Sequence, residues 1–304
     1  GGFTSSSIQG TDSWTTNAND GAGNYNYGDE GAPDDGAWSS GRKSTAAGGM
    51  FSDTEKIHYD GTNILIAERL KGEILLLDLS TNPETVSTII GPDTTNLMNV
   101  MDVTSDADHI YTLARSSNLY ATTTKVCKWA KAGYSLVGCN SSSVQYGVAL
   151  TIYGDEIFAL QGGQTTTASR KAVILDATSS TLAATGGTVP YYAGISAYSY
   201  ASNIAVDSDG DIFIVYRDFN GIVREYQRQS GGDYCASSSC YTQVFTYARY
   251  SSSVTVQGDY LYTNGYYYSS YYGGVKKCNT DPFGSCSSMW TQFSEAGYKG
   301  SMAV

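Results

Sequence analysis

Ile204-Ala205-Val206-Asp207-Ser208-Asp209-Gly210-Asp211-Ile212-Phe213-Ile214-Val215 is the stretch that decides the fold class. It runs from a β-rich segment through an acidic turn into a second β-rich segment, because β-branched and aromatic residues favour strands whereas Asp and Gly favour turns. Four other stretches repeat this pattern. Their second segments are anchored at Ile64, Ile110, Ile157 and Leu261, and together with Ile212 the intervals are 46, 47, 55 and 49 residues.

Each repeat continues into further short strands, such as Glu73–Leu77, Lys171–Leu175 and Ile222–Tyr226. Four short strands at a period of about 40 to 50 residues are typical of a β-propeller blade. No window keeps a 3.6-residue apolar period long enough for a domain-building helix, which argues against an α/β architecture. The sequence therefore predicts an all-β propeller whose blades each contain four antiparallel strands.

The quoted strand, Asp-Gly turn and strand resemble the blades of NHL-like and TolB-like six-bladed propellers, and the resemblance covers residues 52 to 304. It implies a fold rather than one activity, because that superfamily includes binding scaffolds, lyases and lactonases. In the lactonase branch a Ca²⁺ ion lies in the central channel on Glu, Asn and Asp side chains from several blades. That full ligand set has no matching positions in this sequence.

The last four residues, Ser301-Met302-Ala303-Val304, match Asn203-Ile204-Ala205-Val206 and therefore predict the first strand of a sixth blade. The Gly/Asp/Ser-rich segment of residues 1–51 is the material left to finish that blade. Its candidate strands, Phe3–Gln9 and Lys43–Phe51, are poor in Val, Ile and aromatic residues. Completion within the same subunit and completion in a neighbouring subunit both remain open. The predicted assembly residues are Phe3, Ile8, Met302 and Val304.

The amino-acid composition limits the kinds of partner that the protein can bind. Charged residues make up 15% of the chain, against roughly 25% in an average soluble domain, whereas there are 26 Tyr and 34 Gly residues. The formal net charge of -11 opposes contact with nucleic acid and with anionic membrane surfaces. The sequence contains no 18-residue apolar run, so no membrane insertion is expected.

Six cysteines form three local pairs, which are Cys127 with Cys139, Cys235 with Cys240, and Cys278 with Cys286. Each pair flanks the turn between the last two strands of a blade, where a hairpin brings the two residues to cross-strand distance. We therefore expect three disulfides and an oxidising, extracellular or cell-surface location. Zinc or haem ligation is disfavoured, because no pair has Cys-x2-Cys spacing and the chain has only two histidines.

One N-glycosylation acceptor pattern, Asn140-Ser141-Ser142, follows Cys139 in a predicted loop, so Asn140 is a candidate glycosylation site. The acidic turn of the fourth repeat gives weak Ca²⁺ candidates. Its alternating Asp207, Asp209 and Asp211 superficially resemble a Ca²⁺ loop but lack the closing Glu of an EF-hand, and ordinary turn chemistry explains them. No other cofactor is expected.

The sequence offers no catalytic residue. His58 and His109 are isolated from other titratable groups, and no Gly-x-Ser-x-Gly elbow lies between a strand and a helix. Tyrosine is concentrated in the fifth repeat, where it suits both protein interfaces and stacking on sugars. The predicted contact surface contains Tyr266, Tyr267, Tyr268, Tyr271 and Tyr272.

These features favour a secreted, non-enzymatic structural or adhesive propeller that self-associates through its termini into an extracellular filament or surface assembly. Head-to-tail strand exchange does not close, so it generates a polymer. One alternative is a monomeric extracellular propeller that binds a glycan or a protein. A second alternative is a Ca²⁺-dependent, lactonase-like enzyme.

Overall fold

A computed structural model describes residues 54–82, 84–115, 123–162, 171–190, 200–217, 222–234, 241–245, 249–267 and 272–293. These residues form five four-stranded sheets, in each of which consecutive strands pair antiparallel. The described ranges contain strands, turns and bends but no α-helix, and hence no helix long and apolar enough to cross a membrane. The prediction of an all-β propeller with four-stranded blades is confirmed.

The first two blades contain eight strands. Blade one consists of β1 Thr54–Tyr59, β2 Ile64–Glu68, β3 Glu73–Asp78 and β4 Thr85–Ile90. Blade two consists of β5 Val100–Ser105, β6 His109–Arg115, β7 Thr124–Ala130 and β8 Leu136–Asn140.

The remaining three blades follow the same order. Blade three consists of β9 Gly147–Tyr153, β10 Glu156–Gln161, β11 Ala172–Asp176 and β12 Ala184–Val189. Blade four consists of β13 Tyr200–Val206, β14 Ile212–Arg217, β15 Ile222–Tyr226 and β16 Tyr241–Phe245. Blade five consists of β17 Arg249–Gln257, β18 Tyr260–Tyr267, β19 Tyr272–Thr280 and β20 Phe283–Phe293.

The strand order gives the ring two different faces. The hairpin face carries the turns between the first and second strands and between the third and fourth strands of every blade. The crossover face carries the connections between the second and third strands and the passages from one blade to the next. The first strand of each blade is innermost, and these five strands line a common central channel.

Aspartate side chains build the turns of the hairpin face. Oδ1 of Asp60 accepts hydrogen bonds from the backbone N–H groups of Thr62 and Asn63 at 3.0 and 2.8 Å. Asp207 accepts those of Asp209 and Asp211 in the same way. Gly210 has a φ of 87°, which is the left-handed region that glycine enters without a Cβ penalty. The repeated Asp-Gly pattern is therefore a consequence of tight-turn geometry.

One pair of positions forms the contact between every two consecutive blades. The anchor residue of each blade points to the preceding blade, and the residue after it points to the following blade. Each of the four apolar clusters between blades contains one residue of each kind. The pairs are Leu65 with Ile110, Tyr111 with Ile157, Phe158 with Ile212, and Phe213 with Leu261.

Two of the three predicted disulfides are confirmed, Cys127–Cys139 and Cys278–Cys286. Each joins the third strand of its blade to the outermost strand. The sequence separations are 12 and 8 residues, and loops of this size contribute about 2–3 kcal/mol each in the chain-entropy model. Such disulfides are typical of oxidising compartments. Cys235 and Cys240 lie outside the described residues.

Several predictions concern residues outside the described ranges. They are the N-terminal segment of residues 1–51, the sixth blade that it would complete with Ser301–Val304, and the assembly residues Phe3, Ile8, Met302 and Val304. All of these remain predictions.

Candidate functional site

Blade one has an apolar face that points away from blade two. Ile66, Leu75 and Leu77 form a cluster there with Ile57 and Ile64, and every member belongs to blade one. The three central side chains are 5, 1 and 4% exposed. Leaving three such side chains in water would cost about 1.5–3 kcal/mol each. These side chains are instead buried within a single copy of the chain, although no described residue of another blade belongs to their cluster.

The register explains why this face is apolar. Ile64 is the anchor of blade one and occupies the position through which Ile110 contacts blade one from blade two. The contact pattern of the other blades pairs such an anchor with the residue that follows the anchor of the preceding blade. Leu65 and Phe213 are residues of that kind. The apolar surface is thus the ordinary blade-to-blade contact, directed toward a ring position that precedes blade one.

Blade five presents the complementary half of the same contact. Tyr262 follows the anchor Leu261 and occupies the position through which Phe213 contacts blade five. Tyr260 lies on the same face and is 39% exposed. The ammonium group of Lys277 lies 3.3 Å from the centroid of the Tyr260 ring and 5.9 Å from that of Tyr262. The face of blade five that points away from blade four therefore carries two tyrosine rings and the ammonium group of Lys277.

Three of the five tyrosines predicted as a contact surface belong to described strands at the crossover end of blade five. Tyr266 and Tyr267 end β18, and Tyr272 begins β19, with Tyr267 and Tyr272 paired across the two strands. Tyr268 and Tyr271 lie outside the described residues. Contact through these five residues remains a prediction.

The central channel encloses a cavity of about 290 Å³ lined by all five innermost strands. The register places Lys56, Asp102, Ala149, Asn203 and Ser253 at one level of these strands, because each pairs with the residue three positions after its blade's anchor. Three of these five residues, Lys56, Asp102 and Asn203, line the cavity, and all three are polar. We call these five residues the inner ring.

Two members of the inner ring tie neighbouring blades together. Asp102 accepts hydrogen bonds from its own strand at Val103 N and from blade three at Leu150 N, both at 2.8 Å. Asn203 accepts one from Ile204 N at 2.8 Å and donates from Nδ2 to Ser253 Oγ of blade five at 3.3 Å. In both blades this position thus bonds once to its own strand and once to the following blade, as an acceptor in blade two and as a donor in blade four.

Lys56 and Asp102 are both buried at this level, 7 and 5% exposed. Burial lowers the pKa of Lys56, although the carboxylates of Asp102 and Glu55 oppose that shift. Burial likewise raises the pKa of Asp102 to about 6, against the opposing effects of Lys56 and of the two backbone N–H groups. Within the described part of the chain, Lys56 Nζ has no hydrogen-bond partner.

The pKa of Asp102 predicts a pH-dependent stability difference. The folded pKa of about 6 exceeds the unfolded value of 3.8, so the folded state binds the proton more tightly than the unfolded state does. This contribution to stability is present below about pH 4 and is lost as the pH rises through 6. Relative to Asp102→Asn, the wild type should lose about 2–2.5 kcal/mol of unfolding free energy between pH 4 and 7. Urea denaturation at both pH values measures this difference.

An exposed-turn variant serves as the control. Asp259→Asn replaces an exposed aspartate in the hairpin turn of blade five. A difference between wild type and Asp102→Asn that stays constant from pH 4 to pH 7 would show that burial does not perturb this carboxyl group.

The two histidines lie in different surroundings. His58 Nε2 lies 3.1 Å from Ser105 Oγ in the channel, and burial lowers the pKa of His58 to about 4. His109 Nδ1 lies 3.5 Å from Asp106 in a hairpin turn.

The weak Ca²⁺ candidates form a turn. Oδ1 of Asp207 is occupied by two backbone N–H groups, and Oδ1 of Asp211 accepts from Arg228 N at 2.7 Å. Asp209 is exposed. Burial raises the pKa values of Asp207 and Asp211, and neighbouring carboxylates add to the shift. Among the described residues, no three His, Cys, Asp or Glu side chains converge in a way that could hold a metal ion.

Asn140 differs from its prediction as a loop residue, because it is the last residue of β8 and is 8% exposed. Its Oδ1 accepts from Ser142 N and Ser143 N, and its Nδ2 donates to Leu182 O at 2.8 Å. The side chain thus ends the strand and links blade two to blade three. A glycan on Nδ2 would have to replace the bond to Leu182, and glycosylation stays a prediction.

The sequence alone did not reveal the inner ring. Its members differ in chemistry, from Lys to Ala, so no motif marks them. A β-bulge or register shift precedes each of them in the innermost strand. Each of them pairs with the residue three positions after its blade's anchor, so the anchors could have been used to align them.

No family model matches the chain, and no curated protein matches its sequence. Solved structures do share its fold. A functionally unknown protein from Desulfotomaculum acetoxidans is 14% identical, with a TM-score of 0.53 over 79% of this chain and 69% of that one. A chain of a nidogen/laminin complex is 11% identical, with a TM-score of 0.53 over 82 and 84%.

A provisionally assigned 6-phosphogluconolactonase from Bacteroides uniformis is also similar, at 14% identity and a TM-score of 0.50 over 79% of this chain and 70% of that one. Likeness at this level of identity concerns the fold alone. The resemblance to NHL-like and TolB-like propellers is confirmed in that sense: this chain has a β-propeller fold.

Proposed function

We propose that this protein is a secreted structural subunit that assembles into an extracellular filament by completing a sixth propeller blade between neighbouring copies. The observation that carries the proposal is the apolar outer face of blade one, centred on Ile66, Leu75 and Leu77. That face has the composition of a blade-to-blade contact and points to a ring position before blade one.

Both sides of this sixth position repeat the contact pattern of the other blades. Ile64 occupies the anchor position on one side, and Tyr262 occupies the position after the anchor on the other. The sequence supplies a first strand for this position in Ser301–Val304, aligned with Asn203–Val206 of β13. A blade inserted between Tyr262 and Ile64 would bury both faces at once.

Strand donation from a neighbouring copy fits the composition of the N-terminal segment. Phe3–Gln9 is poor in β-branched and aromatic residues, so it gains most by pairing with the edge of a sheet that already exists. Donation from one copy to the next is a head-to-tail contact, which continues without closing. The two disulfides favour an oxidising and therefore extracellular setting.

Removing residues 1–10 tests this proposal. The truncated chain should remain near 32 kDa in sedimentation velocity, with β circular dichroism and both described disulfides retained, while the full chain polymerises. Phe3→Ser with Ile8→Ser should reproduce the loss, whereas the matched change Ser5→Ala with Ser6→Ala should not. Truncated protein that polymerises like the full chain would refute strand donation by this segment.

A second candidate function rests on the channel. A cavity of about 290 Å³ with a polar inner ring could hold a small ligand in a monomeric extracellular binding propeller. Exposed tyrosines of blade five could bind a glycan or protein in the same molecule. This function leaves the apolar face of blade one unexplained, so it ranks second.

A Ca²⁺-dependent lactonase is not favoured by the inner ring. Such an enzyme needs several oxygen ligands converging in the channel. Here the Lys56 ammonium group stands beside Asp102, and two backbone N–H groups already occupy the Asp102 oxygens. These residues do not fit a divalent cation, so we derive no reaction step that involves one.

A further inference from the structure

The two faces of the ring carry different charge. Aspartates occur in the turn between the first and second strands of every described blade, at Asp60, Asp106, Asp155, Asp207 and Asp259. Four of the five blades add an aspartate between the third and fourth strands, at Asp78, Asp176, Asp233 and Asp281. The hairpin face is therefore ringed by carboxylates.

Few cations lie on the hairpin face to balance these carboxylates. Lys131 pairs with Asp60 at 3.1 Å, and Arg228 pairs with Glu156 at 2.6 Å. The nearby carboxylates also affect Glu225 of blade four. Burial raises the pKa of Glu225 to about 7, and the carboxylates of Asp211, Asp207 and Asp281 raise it further. The hairpin face thus has a strong net negative potential.

The crossover face collects the cations. Arg69 follows the second strand of blade one, and Arg115 ends the second strand of blade two. Lys71, Lys125 and Lys171 lie at the starts of the third strands of blades one to three. The carboxylates at this face accompany these cations, as Glu55 does at 3.4 Å from Arg69 and Glu73 at 3.7 Å from Lys71. The crossover face is therefore much less negative than the hairpin face.

We infer that copies of this chain stack head to tail along the propeller axis, with the hairpin face of one copy on the crossover face of the next. This inference rests on the proposed function and specifies the polarity of the filament. Contact between two hairpin faces would bring like-charged rings together, which costs several kcal/mol when charges are juxtaposed. Contact between a hairpin face and a crossover face pairs carboxylates with Arg and Lys. The charge pattern therefore selects the polar arrangement and excludes the symmetric one that joins hairpin faces.

Charge-exchange variants test the polarity. Asp155→Lys with Asp259→Lys reverses two exposed turn aspartates for which no side-chain hydrogen bond is seen. Lys71→Glu with Lys171→Glu reverses two cations on the other face. Each double variant alone should need at least about tenfold more protein to assemble. An equimolar mixture should recover assembly, because the two lysines added to the hairpin face of the first variant can pair with the two glutamates added to the crossover face of the second.

The control adds positive charge away from both faces. Ser87→Lys with Thr88→Lys changes the exposed outermost strand β4 of blade one and should assemble like the wild type. Wild-type assembly should weaken with added NaCl, because contacts between exposed charges are screened within about 8 Å at 0.15 M ionic strength.

The outcomes separate this inference from the proposed function. If the wild type polymerises and both face variants polymerise equally well, head-to-tail stacking is wrong and blade completion stands. If each face variant is defective and the mixture stays defective, pairing of the two faces is also wrong. If the wild type itself never exceeds a monomer, both proposals fail.

Discussion

Leu75→Asp is expected to abolish polymerisation of this chain. Leu75 is 1% exposed at the centre of the apolar face of blade one. Because Leu75 is already buried, a carboxylate there would lose its water without gaining a partner, which costs several kcal/mol and should prevent a further blade from packing on this face. Sedimentation velocity at concentrations where the wild type polymerises measures the loss.

The matched control is Leu70→Asp. Leu70 lies in the turn after β2 of the same blade and is 70% exposed, so the same chemical change there should leave assembly intact. If Leu75→Asp prevents folding, Tyr262→Ser provides a second test. It alters the opposite side of the sixth position at a partly exposed residue, so the five blades should fold while assembly weakens. Normal polymerisation of a folded Leu75→Asp chain would remove the blade-completion account.

Phe213→Ala is expected to lower the free energy of unfolding by about 3–5 kcal/mol. Phe213 is fully buried between blades four and five, and its ring packs edge-on against Phe283 with centroids 5.2 Å apart. It occupies the same position in the blade as Tyr262, but its neighbouring blade is present in the structure. Urea denaturation of wild type and variant measures the difference.

Tyr260→Ala is the comparison for that measurement. Its ring is 39% exposed and stacks on Lys277, so its loss should cost less than about 1 kcal/mol. If the two variants were equally stable, the anchor-based contact would not hold the blades together. The inference from that contact to a sixth blade would then lose its basis.

The fold was predictable because tight turns restrict sequence. An Asp-Gly turn needs a carboxylate acceptor and a residue with positive φ, as Asp207 and Gly210 show. These requirements produce a recognisable sequence repeat every 46 to 55 residues, from which the anchors Ile64 to Leu261 follow. The disulfides Cys127–Cys139 and Cys278–Cys286 were predictable for a related reason, because a short hairpin fixes which residues face each other.

The candidate sites were less accessible from sequence. Lys56 and Asp102 share a level of the channel only because five strands converge there, and such convergence leaves no local pattern. Asn140 was placed in a loop because Ser residues follow it, whereas β8 continues through it to reach Leu182 of the next blade. The charge difference between the faces becomes visible only once each turn is assigned to one face of the ring.

The most direct test of the central claim is the solution mass of the wild-type chain over a series of concentrations. The account predicts species far larger than the 32.4 kDa chain, growing with concentration and visible as filaments by electron microscopy. A monodisperse species of 32.4 kDa at every concentration would contradict it.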